Sequence, residues 1–150
     1  MMLANALLGF LVMAGCLVVQ ALLVTAAIRT YGRHLALVES GSFGSTVLVI
    51  GGVMMVLVVG NILQVCIWGA LFLQLGEFED YRVAVYHSAV NFSTLGYGDI
   101  VMSERHRILG PIQSLNGILM MGVSTAVVMS SLQDALQRIR AARAGDANAD

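Results

Sequence analysis

Lysine is absent from this chain of 150 residues, and charge of either sign is scarce. All eight basic residues are arginine, nine residues are acidic, and the formal net charge is −1. Charged residues make up 11%, against roughly 25% in a water-soluble domain. So little charge cannot cover a surface facing water, and lipid is the expected solvent. With no basic run and a balanced charge, nucleic acid is excluded as a partner. Cysteine occurs twice, at Cys16 and Cys66, both in apolar runs, which excludes a disulfide framework and reads as two buried thiols. Metal-ligand, nucleophile–base and phosphate-loop constellations are also lacking, so neither enzymatic chemistry nor a cofactor is expected. An arginine-only basic set beside abundant Ala and Val points to a GC-rich bacterial genome.

What is present is hydrophobic: 58% of residues, with a mean hydropathy of +0.84. Leu3 to Ile28 and Thr46 to Leu75 are long apolar stretches, about 39 and 45 Å as helices, against a hydrocarbon core of about 30 Å. A third runs from Arg107 to Leu132, with the single proline, Pro111, in its first turns, where a helix tolerates it. The amino terminus has no positive leader region or cleavage pattern, so the first stretch is expected to be a retained span. Asn61, Gln64 and Gln74 are expected to face other helices. Gln133 to Arg143 continues in helical but polar character, and Ala144 to Asp150 reads as a disordered tail. Arg29, Arg33, Arg138, Arg140 and Arg143 fall on one side of three crossings, Arg82, Arg105 and Arg107 on the other. That five-to-three split places the amino terminus outside and the carboxyl terminus in the cytoplasm.

Between the second and third spans, Tyr81 to Phe92 is apolar but too short to cross. It is followed by Ser-Thr-Leu-Gly-Tyr-Gly-Asp-Ile, residues 93 to 100. Non-helical backbone at membrane depth survives only when buried in protein or lining water. Gly96 and Gly98 reach φ > 0 cheaply. Alternating left- and right-handed conformations would aim the carbonyls of Thr94, Leu95, Gly96 and Tyr97 one way. Four copies around an axis would stack those oxygens into rings that replace the water of a dehydrated cation.

Thr94-Leu95-Gly96-Tyr97-Gly98-Asp99 resembles the selectivity filter of potassium channels, over an outer helix, pore helix, filter and inner helix at about residues 46 to 132. The resemblance implies an all-α membrane protein, with three transmembrane helices plus a re-entrant pore helix and filter, assembled as a four-fold symmetric homotetramer. It implies K+ as permeant ligand at Thr94, Leu95, Gly96 and Tyr97, with Gly98 completing the filter and Tyr86, His87, Ser93 and Asp99 supporting it. Three departures stand out. Leu95 replaces the usual Val or Ile, Tyr86-His87 replaces an aromatic pair, and Val90 replaces the Glu that some members set against the filter acid. Residues 1–45 would be an additional helix and cytoplasmic connector, 46–132 the pore domain, and 133–150 a short cytoplasmic tail.

Gly117 and Gly122 on the inner helix serve either as hinge or for close packing. Ile118, Met121 and Thr125 share one face, which by the resemblance lines a central cavity. Asn116 is a weaker candidate for that cavity. His87 is expected to be a structural donor to the Tyr97 hydroxyl or a pH sensor. His34 and His106 read as solvated loop residues. Arginines spaced every third residue are absent, which excludes a voltage sensor. The short carboxyl-terminal segment leaves gating to lipid, pH, force or an unknown regulatory partner. A multi-pass protein of a bacterial inner membrane is expected, conducting K+ selectively. A weakly selective monovalent cation channel and a non-conducting membrane interaction subunit remain as alternatives.

Overall fold

The computed structural model describes residues 2–35 and 43–147. Four helices account for most of them: α1 (Met2–Arg33), α2 (Phe43–Gln74), α3 (Tyr81–Phe92) and α4 (Leu109–Ala147). No strand occurs among the described residues. α1, α2 and α4 are each long and apolar enough to cross a membrane. In hydrocarbon a helix is the economical form for a single segment, since every backbone group is satisfied within it. Large apolar side chains stand open along these helices, among them Leu3, Leu11 and Leu22 on α1 and Leu48 and Met55 on α2. In water that would be a liability; against acyl chains it is the expected exterior.

Contacts divide the chain into two units, and α1, α2 and α4 contribute to both. One comprises Met1–Gln20 and Val59–Gly122. Its apolar centre joins Cys16, Trp68, Phe72, Ala84, Met102, Leu109 and Ile112, so α1 packs directly on the outer, short and inner helices of its own chain. Beside it the buried Gln64 amide donates to Gln20 Oε1 at 2.8 Å, and Asn116 Nδ2 lies 3.5 Å from Gln64 Oε1. Asn116 is fully buried, so the weaker expectation that it approaches a cavity is corrected: it belongs to this interhelical chain. The other unit comprises Ala21–Val58 and Val123–Asp150. There Ala27, Tyr31, Val49, Val53, Leu57 and Ala135 pack together, and Asp134 accepts from Tyr31 Oη at 2.9 Å and Arg138 Nε at 2.8 Å.

The expected tail is a second correction. α4 runs on to Ala147, so residues 144–147 are helical, and residues 148–150 lie outside the described part. Once a helix is nucleated, each further residue adds a hydrogen bond without a new nucleus, and the alanines of Ala-Ala-Arg-Ala continue it readily.

Candidate functional site

α3 begins where a side chain caps it. Asp80 takes φ −112° and ψ 129°, and its Oδ1 accepts from Arg82 N at 2.8 Å. Such a cap satisfies one of the orphan amides of the first turn. Ala84, His87, Ser88, Val90 and Phe92 are buried. Ser88 Oγ donates to the Val65 carbonyl of α2 at 2.7 Å. Gln113 Nε2 donates to the Ser88 carbonyl at 3.1 Å, and Ser114 Oγ to the Asn91 carbonyl at 2.9 Å, so α4 grips the same helix. Gly117 lets α4 come this close: a Cβ there would lie 1.9 Å from the Phe92 carbonyl oxygen.

The far end of α3 passes directly into the glycine segment. Thr94 N donates to Asn91 O at 2.9 Å and Leu95 N to Val90 O at 3.0 Å. This pair of bonds, three and five residues back, is the Schellman pattern of helix ends, with a left-handed residue between them. That residue is Thr94, at φ 59°. Glycine is usual there, and a left-handed residue with a β-carbon costs roughly 1–2 kcal/mol. Gly96 follows at φ 60° and Gly98 at φ 72°, while Leu95 and Tyr97 keep negative φ. Handedness thus alternates at every residue from 94 to 98. Thr94 to Asp99 are all exposed, with Tyr97 66% accessible.

The segment that follows the glycines is tied to α3 by side chains. Tyr86 Oη donates to Asp99 Oδ2 at 2.7 Å, which gives this carboxylate a partner where Val90 supplies none. This bond, more than any other cause, raises the Tyr86 hydroxyl above its ordinary value. His87 Nδ1 lies 3.0 Å from the Ile100 carbonyl, and Nε2 lies 2.9 Å from Asn91 Nδ2. A carbonyl only accepts and an amide nitrogen only donates, so the ring is neutral with its proton on Nδ1. The expected bond from His87 to the Tyr97 hydroxyl is therefore corrected: both ring nitrogens are engaged elsewhere. The ring lies 5.1 Å from Phe78 and 5.7 Å from Phe72 between centroids. Burial pushes the His87 imidazole below its ordinary value, against the Ile100 carbonyl and the charges of Asp99 and Glu77, which pull upward.

His106 is also corrected. It is buried, not solvated, with Nδ1 against the Glu77 carboxylate, which also accepts from Ser103. Sequence reasoning missed Glu77; its spacing from His106, 29 residues along the chain, carries no periodic signal. Ser93 bonds back to its own helix through Oγ, at 2.8 Å from Ala89 O. On α4, Gly117 is buried against Phe92, whereas Ile118, Met121, Gly122 and Thr125 are exposed.

A family model described as "Ion channel" matches residues 45–134. No solved structure matches the chain. The match spans α2, the capped short helix, the segment of alternating handedness and most of α4. With three membrane-capable helices, this is a multi-pass integral membrane protein. The chain belongs to the ion-channel family, as a pore domain of the potassium-channel type.

Proposed function

We propose that the protein conducts K+ selectively and passively across a membrane, as one subunit of a four-fold symmetric homotetramer. The observation that carries this is the alternation of φ sign from Thr94 to Gly98. A peptide that changes hand at each residue turns successive carbonyls to one side, and such oxygens can take the place of a cation's hydration shell. One chain supplies a single column of oxygens, and a closed ring needs several. The exposed residues 94 to 99 fit that need, since irregular backbone at membrane depth must be covered by protein or line water. In this assembly α3 and the filter enter and leave the membrane on the outer side. Ile118, Met121 and Thr125 line the cavity below, and Gly122, with open space around it, is the freer of the two glycines to bend. The five-to-three arginine split supports an amino terminus outside and a tail in the cytoplasm, and the arginine-only basic set supports a bacterial membrane.

Leu95 supports a second reading, a weakly selective cation pore. Its side chain is 54% exposed, so its own chain does not brace it. Flux of K+ and of Na+ into liposomes holding the purified protein separates the readings. Strong preference for K+ is expected. Equal passage of both ions would favour the weakly selective pore, and passage of neither a non-conducting subunit. Gly96→Ala adds a β-carbon at φ 60°, with a cost of roughly 1–2 kcal/mol repeated in each subunit. It should abolish selective flux while the protein still inserts, and an unchanged K+ preference in that variant counts against the oxygen rings.

A further inference from the structure

The carboxyl-terminal turns of α1 carry two unlike faces. Ala27 and Tyr31 are buried with Val49, Val53 and Leu57, and the Tyr31 hydroxyl donates to Asp134 Oδ2 at 2.9 Å. At about 100° per residue, Arg29 and Arg33 fall on the opposite side of the helix from Tyr31. They border a groove of about 330 Å3 with Leu22, Thr25, Ala26 and Thr30. The Thr25 and Thr30 hydroxyls donate to the Ala21 and Ala26 carbonyls at 2.8 and 2.9 Å, so the protons these six side chains leave to the groove are those of the guanidiniums. Among the described residues neither arginine forms an ion pair, whereas Arg107 stands against Glu104 and Arg138 against Asp134. Leu22, 67% exposed, lies about 10 Å further into the span than Arg29. The groove is thus apolar toward the membrane centre and doubly positive at its end.

We propose that this groove seats an anionic phospholipid, with its phosphate between Arg29 and Arg33 and an acyl chain on Leu22 and Ala26. By the arginine split, this end of α1 lies in the cytoplasmic leaflet. A phosphodiester has one negative charge and two free oxygens, and a guanidinium offers a planar fork of N–H groups that takes such oxygens in pairs. Four residues apart, the two arginines are separated by about 6 Å along the axis, close enough for both forks to meet on one phosphate. The carboxyl end of a helix carries about half a negative charge, which opposes an anion, but two full positive charges outweigh it. A zwitterionic headgroup brings its own cation to its phosphate and gains less. The bond from Tyr31 to Asp134 fixes the rotation of α1, so the arginines are held toward lipid. None of the six residues falls within the 45–134 match, so the site belongs to the additional helix and not to the pore.

The test uses the full-length protein in vesicles of equal phosphatidylglycerol and phosphatidylcholine. The protein is re-extracted in mild detergent, and the phospholipid it retains is measured by mass spectrometry. Wild type is expected to hold phosphatidylglycerol in excess over the bulk mixture. Retention in the bulk proportion overturns the site, whatever the variants do. An arginine near an anionic surface is worth about fivefold in affinity, so Arg29→Gln combined with Arg33→Gln should cut the excess by about tenfold or more. An unchanged excess in that double variant overturns the proposal. Arg140→Gln removes one charge from the same side, outside the groove, and should keep the excess. A fall equal to that of Arg29→Gln would assign the preference to net charge and overturn the groove. Inorganic phosphate in the wash should leave the lipid in place; displacement would show an anion held without its acyl chains and overturn the lipid assignment. No readout depends on conduction, so failure here is distinct from failure of the K+ reading.

Discussion

At His87 the neighbours decide the protonation state. Ile100 offers only an acceptor and Asn91 Nδ2 only a donor, so a second ring proton would face an N–H and displace it. With the folded value below the ordinary one near 6.5, the unfolded chain takes up a proton first as pH falls. The neutral ring therefore contributes fully above about 6.5, and stability declines on the acid side, toward the lower folded value. A cavity of about 470 Å3 bordered by His87 and Asn91 gives solution protons a route to the ring. Flux should be flat from pH 8 to about 6.5 and fall below it. His87→Phe should remove that limb while K+ preference remains. An identical acid limb in wild type and His87→Phe, measured by flux across the range, assigns the titration to another group. Glu77 is the nearest rival, and its limb lies lower: its folded value is depressed, so its contribution persists until pH falls through the carboxylate range.

Between elements, the closest approach is α4 on the end of α3. A methyl at position 117 would meet the backbone of Phe92, which cannot rotate away, and overpacking of this kind costs about 1–3 kcal/mol. Gly117→Ala is expected to lower the unfolding temperature of the inserted protein, whereas Gly122→Ala, with nothing within 4 Å, should be neutral or slightly stabilising. Equal thermal shifts for the two variants would show that this contact is not close in the membrane. The helices themselves were legible in the sequence, because length and hydropathy are sums over neighbours, and so was the short apolar segment from Tyr81 to Phe92. The irregular backbone at Gly96 and Gly98 was legible because two glycines around a tyrosine are conspicuous among Leu and Val. Long-range pairing was not: Gln20 with Gln64 and Glu77 with His106 are 44 and 29 residues apart, and a histidine in a polar loop looks solvated until its partner is placed. Thr94 was hidden for another reason, since a β-branched residue argues against the left-handed conformation that the helix cap imposes on it.

For the whole molecule, α1 is more than a bystander to the family's two-helix pore. Residues 45–134 match the family, yet Cys16 of α1 sits in the same apolar centre as Trp68 and Phe72, and Asn5 Nδ2 donates to the Arg105 carbonyl at 2.5 Å, beyond the glycine segment. A chain beginning near Thr30 would leave Gln64 without Gln20 inside a helix interface. Interhelical hydrogen bonds in membranes are worth about 0.6–2 kcal/mol each, and lost packing adds to that. Tetramers of the shortened chain should still form but dissociate at a lower temperature in detergent. Dissociation at the full-length temperature would make α1 a passive passenger. Gln20→Leu isolates the polar part and should move the midpoint by less.

The cap at the end of α3 also sets an order of events during synthesis. The amides of Thr94 and Leu95 reach carbonyls three and five residues back, contacts a nascent chain can make without meeting a second copy. Local closures of this kind take microseconds or less. In the proposed tetramer the left-handed turn at Thr94 would thus be inherited by the assembly, while exposed Tyr97 and Gly98 would wait for it. One chain would shape the base of the oxygen column, and only company would complete the top.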